Sequence, residues 1–165
     1  IREEVVAAKG DAKLAAARTT VHSIATLTGH AVIAVGKYNI CLDNGVSKKL
    51  GVSHRLVGAG DAIADPWEVS TMRREDFAMV APKRDDHDVV QCNTAASSRT
   101  PRGHQFPATF LYLASGLVDH GPANAECPIA YTHLDIAGSA SYGDSASGVE
   151  TGNPVCALVE AYIPK

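Results

Sequence analysis

Seven histidines, eighteen carboxylates and four cysteines are the side chains of this 165-residue chain that could ligate a metal, relay a proton or attack a substrate. The histidines are His22, His30, His54, His87, His104, His120 and His133. No two of them show the HxxxH or HExxH spacing that places a pair of imidazoles on one helical face, so a zincin helix is excluded. Asp85-Asp86-His87-Asp88 gathers hard ligands, but inside a hydrophilic run, and reads as a solvated loop. His133 and Asp135 lie two apart in an apolar run, so on a strand they share a face. Such a pair can bind a metal or relay a proton; more often it is a buried, hydrogen-bonded structural pair.

Nucleophiles and phosphate cradles leave little trace. No GxSxG elbow surrounds any serine. Cys41, Cys92, Cys127 and Cys156 fall in no CxxC spacing, which disfavours a zinc knuckle or a redox pair. They read as buried or half-buried free thiols in a reducing compartment. Gly58-Ala59-Gly60 lacks the third glycine and the preceding strand of a dinucleotide loop. Arg99-Thr100-Pro101-Arg102-Gly103 can hold an anion or be phosphorylated, although an exposed polar loop is the simpler reading.

The elements that must position these groups alternate between strand and helix. Residues 1–18 favour helix, weakened at Gly10. The β-branched run 20–28 reads as a buried strand ended by Gly29. Residues 31–35 and 37–42 read as two further short strands around Gly36. Asp43-Asn44-Gly45 is a turn, and a helix begins at Ser47 to Gly51, with Gly58 to Asp61 interrupting it or ending a neighbour. Pro66-Trp67 opens an irregular stretch, the charged run Arg73 to Asp76 follows, and residues 83–104 form a long loop of the kind that tends to be functional. Residues 107–117 carry an apolar helix face, 129–136 a second buried strand, 139–148 a small-residue connection and 155–162 a closing helix. Two strands that end in glycine, with helices between, predict an α/β sandwich. Ligands in such sheets sit at the carboxyl ends of strands, which places residues 26–29 and 135–140 on one rim.

Composition sets the outer bounds. A hydrophobic fraction of 45% and a charged fraction of 20% are those of a globular domain with a core. A net charge of −3 implies no pull toward nucleic acid or anionic membrane. No run is long and apolar enough to span a bilayer. The opening Ile1-Arg2-Glu3-Glu4 has neither initiator Met nor signal peptide and reads as the interior of something longer.

Two strings carry more than composition does. Ile24-Ala25-Thr26-Leu27-Thr28-Gly29 resembles the ATLTG strand end of the leucine aminopeptidase family, and Thr132 to Gly138 resembles its HLDIAG strand, at about the family's spacing of a hundred residues. Gly103 to Leu113 looks like the family's GA-x-TAA-x-FL helix, and Thr151-Gly152-Asn153-Pro154-Val155 like its TGRPV segment, with Asn153 in place of Arg. The resemblance implies the C-terminal part of the catalytic domain, an α/β three-layer sandwich with a mixed central sheet, incomplete in this chain. It implies a metal-dependent, cytoplasmic leucyl aminopeptidase acting on peptides with apolar N-terminal residues and assembled as a homohexamer. Two divalent ions, zinc with manganese or magnesium possible at one site, and the catalytic lysine and arginine belong to an upstream segment. This chain by itself is therefore expected to be inert and to hold no metal. Carried over by position, the substrate-binding residues are Thr26, Leu27 (through its carbonyl), Gly29, Ala137 and Ala140. The competing reading is an inactive, aminopeptidase-like building block of an oligomer; a ligand-binding α/β domain with a coincidental likeness is the third.

Overall fold

A computed structural model describes the chain at residues 16, 18–124, 126–143 and 147–163. The helix expected over 1–18 falls almost wholly outside the described residues. Four strands form one mixed sheet: β1 (Thr20–Ala25), β2 (Asn39–Asp43), β3 (Trp67–Thr71) and β4 (Ala130–Asp135). Their order is β1-β4-β2-β3. β1 runs parallel to β4 and β2 parallel to β3, while β2 and β4 are antiparallel. Helices α1 (Gly29–Val35), α2 (Gly45–Leu50), α3 (Val52–Ala62), α4 (Arg74–Val80), α5 (Gln105–Ala114) and α6 (Val155–Tyr162) complete the α/β fold, with a small hairpin of β5 (Ser141–Tyr142) and β6 (Val149–Glu150).

Strand alternation sorts the core into two layers of side chains. Cys41 of β2 and Leu134 of β4 pair across the sheet and point one way. They pack there with Leu56 of α3, Trp67 and Ala157 of α6. Ile40 and Leu42 point the other way, onto Ala31 of α1 and Ala108 of α5. A third cluster beside them joins Tyr112, Leu117, Ile129 and Tyr131. Helices thus cover both faces, and β4, between two neighbours, is buried at every position.

The structure corrects the sequence reading in three places. β1 stops at Ala25, and residues 29–35 are helix rather than a strand end followed by a strand. The β-branched residues Val32, Ile33 and Val35 favour extended chain, but the Thr28 side chain caps the helix by accepting from Ala31 N. Trp67 opens no irregular stretch: it begins β3, held in parallel register opposite Asn39. Gly58 and Gly60 lie within α3, which runs through them to Ala62 rather than being interrupted there. The helices at 45–50, 105–114 and 155–162 and the strands at 39–43 and 130–135 fall where the sequence places them, within a few residues.

The long loop is also confirmed, with a single 3-10 turn at Ser97–Arg99. It is not uniformly a solvated loop. Arg102 grips the fully buried carboxylate of Asp76, Nε to Oδ1 at 2.5 Å and Nη2 to Oδ2 at 2.7 Å, and donates to the Thr71 carbonyl. Its guanidinium is committed to that pair, so Arg102 is not free for the anion considered as the alternative to an exposed polar loop. Asp85 to Asp88, by contrast, are exposed, and Asp86 pairs with Arg84.

Gly138 shows how tightly the layers close. A Cβ added there would run into the Gly36 carbonyl oxygen and press on that of Tyr38. Neither is a flexible side chain, so the backbone leading into β2 must shift. Gly138→Ala is expected to lose about 1–3 kcal/mol, read as a lower urea midpoint at unchanged m-value. An unchanged midpoint would mean that these backbones are not in contact.

Candidate functional site

The two segments singled out by sequence follow neighbouring parallel strands. Ala25 sits opposite Asp135, and Ile136 N donates to the Ala25 carbonyl at 2.9 Å. The chain leaves both strands at one rim of the sheet. Asp135 then ties the two exits together. Its Oδ2 accepts from Thr28 Oγ1 at 2.6 Å, and its Oδ1 accepts from Ala137 N at 3.1 Å and from Leu27 N at 3.4 Å. The carboxyl is fully buried, yet every donor is a neutral hydroxyl or amide. Three such donors are a recognised substitute for water around a buried carboxylate.

Thr28 does double duty. While its hydroxyl proton goes to Asp135, its oxygen accepts from Ala31 N at 3.1 Å. One atom caps α1 and fastens that cap to β4.

An apolar cavity of about 390 Å³ opens beside the rim. Leu27 and Thr28 form one side, and Phe106, Phe110 and Leu111 of α5 the other, with Cys92 and Asn93 from the long loop. Leu27 is 47% exposed, so it presents its side chain rather than burying it. The loop closes against the start of α1 through Gly29 N, which donates to Ser97 Oγ at 3.0 Å.

Of the residues carried over by resemblance, Thr26, Leu27 and Gly29 lie together on the exposed turn between β1 and α1. Ala137 shares Asp135 with Leu27, although its side chain packs toward Ala31 and Ile40. Ala140 lies one turn further on, half-buried, its N bonded to the Ile136 carbonyl and its own carbonyl accepting from Thr151 N. Neither alanine lines the cavity.

His133 and Asp135 share a face but not a bond. His133 Nδ1 meets Ser23 Oγ at 2.8 Å, and Ser23 meets Tyr131 Oη at 2.7 Å. Burial drives the His133 pKa down to about 4, with Asp135 opposing, so the ring is neutral. Among the described residues, no group of three or more His, Cys, Asp or Glu is placed to hold a metal ion. The four cysteines are free, Cys41 and Cys127 buried and Cys92 and Cys156 exposed. Sequence reasoning missed the α5 wall of the cavity and the meeting of His30 with His104, whose Nδ1 atoms are 2.8 Å apart. The apolar spacing of α5 was visible, but nothing local says that Phe106 and Phe110 face Leu27.

The doubly used hydroxyl yields a test. Thr28→Val keeps the shape, leaves Ala31 N uncapped and removes a donor from a buried carboxylate. A loss of roughly 1–3 kcal/mol is expected, with Thr28→Ser recovering most of it in chemical denaturation. Equal losses for Val and Ser would show that packing, not the hydroxyl, matters.

Comparison with known proteins fits this geometry. The catalytic domain of the cytosol aminopeptidase family matches residues 8–159. A Caenorhabditis elegans protein whose name proposes it as an aminopeptidase is 40% identical over 141 residues, covering 86% of this chain and 26% of that protein. A mutant of tomato leucine aminopeptidase superposes with a TM-score of 0.58 at 20% identity, over 86% of this chain and 24% of that one, a likeness of fold. The chain thus spans about a quarter of the length of these relatives. Over nearly its whole length, this chain belongs to the cytosol aminopeptidase family and corresponds to part of its catalytic domain.

Proposed function

We propose that this chain is the C-terminal part of the catalytic domain of a metal-dependent, leucyl-type aminopeptidase, cytoplasmic and homohexameric, that releases mostly apolar N-terminal residues from peptides. Within it the chain supplies substrate-pocket and scaffold elements. The observation that carries this reading is the apolar cavity beside Leu27, at a rim whose two strand exits are locked by one buried carboxylate. Concave, largely apolar surfaces with a few fixed backbone groups are what recognition of an uncharged side chain on a peptide requires.

The described residues do not fit a metal centre. The resemblance assigns two divalent ions, zinc with manganese or magnesium at one site, to residues outside this chain, and no chemical step is placed on the residues here. What these residues do is bind and orient. By resemblance, the exposed Leu27 and the small residues Gly29, Ala137 and Ala140, which stand at the rim outside the cavity lining, leave space for a first side chain and hold a peptide without charge.

The test has two arms. The complete protein is expected to hydrolyse leucine p-nitroanilide and to lose that activity on chelation, while the 165-residue chain shows none. A folded, hexameric complete protein with no hydrolysis under any divalent ion would favour the building-block reading instead. In the active protein, Ala140→Met narrows the space beyond Ala137. It is expected to lower kcat/KM for N-terminal Phe roughly tenfold more than for N-terminal Ala. Equal losses on both substrates would remove Ala140 from the pocket.

A further inference from the structure

Two histidines from distant segments meet beside the cavity. His30 is the second residue of α1, and His104 immediately precedes α5. Their Nδ1 atoms lie 2.8 Å apart, and the rings are tilted at 46° with centroids 4.9 Å apart. The other nitrogen of His104 lies 2.8 Å from Ser70 Oγ, which also accepts from Gln105 Nε2 at 2.9 Å. A bond between two imidazole nitrogens needs one donor and one acceptor. A single proton therefore sits between the two Nδ1 atoms, one ring carrying it as the Nδ1–H tautomer and the other accepting as the Nε2–H tautomer.

The pair joins the two sides of the candidate site. His30 follows the rim residues Thr26 to Gly29 directly, and His104 ends the loop whose Asn93, Ser97 and Gly103 line the cavity. Gly103 fits so closely under His30 that a Cβ would strike the Ser97 carbonyl and crowd His30 Cβ. The bond from Gly29 N to Ser97 Oγ runs alongside.

We propose that His30 and His104 are positioning residues that form a one-proton clasp, holding the loop wall of the cavity against the Thr26–Gly29 rim and releasing it when both rings are protonated. Its bearing on substrate rests on the function proposed above; the clasp itself does not. Two imidazolium rings have no acceptor between their Nδ1 atoms and repel. Burial first, and the neighbouring His30 second, depress the His104 pKa to about 4. Asp135 on β4 and Asp76 on α4 raise it, and Arg102 lowers it. The sign follows by linkage: the open state, with His104 near its usual 6.5, binds a proton that the closed state refuses. The closed form is at full strength above pH 6.5 and weakens as pH falls toward 4, its opening rising about tenfold per unit.

Hydrogen exchange of the full chain, followed by mass spectrometry and normalised to β4, measures this directly. Protection of residues 91–104 should fall about tenfold per pH unit below 6.5. His30→Gln offers His104 an amide that can donate or accept without titrating, so the decline should flatten. At neutral pH, long-range nitrogen-proton correlations of the imidazoles should show one Nδ1 protonated and the other bare. Independent titration of both rings at the ordinary midpoint, or an unchanged pH response in His30→Gln, would overturn the clasp. Should that variant not fold, the imidazole correlations of the wild-type chain decide alone. Neither readout uses peptidase activity, so a clasp found in an inactive protein would leave this inference standing and sink the function. In an active complete enzyme, His30→Gln should raise KM several-fold and leave kcat unchanged.

Discussion

The carboxylate of Asp135 is the constraint on which the rim depends. A buried carboxyl group is costly unless hydrogen-bond partners replace the water it has lost. Here the donors are the Thr28 hydroxyl and the amides of Leu27 and Ala137. All three stand just beyond the ends of β1 and β4, so they converge only if those strands end in register, as the pairing of Ala25 with Asp135 ensures. Sheet pairing, helix capping and the shape of the rim are thereby one problem with one solution. The same convergence turns the Leu27 side chain outward, because its amide is held from below.

A second buried acid solves its problem differently and governs the opposite wall. Asp76 accepts from Arg73 N at 2.7 Å, which starts α4, and takes both arms of the Arg102 guanidinium. Arg102 is near the end of a long polar loop, so this pair fixes where the loop returns to the core. Residues 103–106 then enter α5 buried, carrying Phe106 to the cavity. Removing Arg102 strands the buried Asp76 carboxylate in the interior, a far larger effect than losing an exposed pair such as Arg84 with Asp86. The cavity is thus framed by two buried carboxylates whose bonds lie within the fold.

Close packing on this scaffold is a matter of small residues and backbone. Gly138 lets the chain leave β4 pressed against the backbone of residues 36 and 38, and Gly103 lets the loop pass beneath His30. Several polar groups in the interior pair with one another: Thr132 Oγ1 with Asp43, His133 Nδ1 with Ser23, Asn39 with Ser139 and Asp65. Leu27, Val32 and Ile33 are apolar groups left exposed on the rim and the helix that follows it.

The sequence by itself determined the α/β class, the two central strands, the helices at 105–114 and 155–162, and the rim where 26–29 and 135–140 meet. Those features are local: β-branched runs, apolar spacing and glycine stops act on residues close in the chain, and the ATLTG-like and HLDIAG-like strings carry the family. The sequence misjudged 29–35, because Val32, Ile33 and Val35 favour strand while the deciding force is a cap anchored on Asp135, a hundred residues away. It misjudged Trp67 to Thr71 for a similar reason, since a short strand is made by its parallel partner Asn39 to Asp43 rather than by its own composition. Only the tertiary structure decided that Arg102 is spent on Asp76, that Phe106 and Phe110 face Leu27, and that His30 finds His104. Each of these is a pairing across the fold, and the energy of a desolvated charge or a buried ring depends on which distant atom arrives beside it.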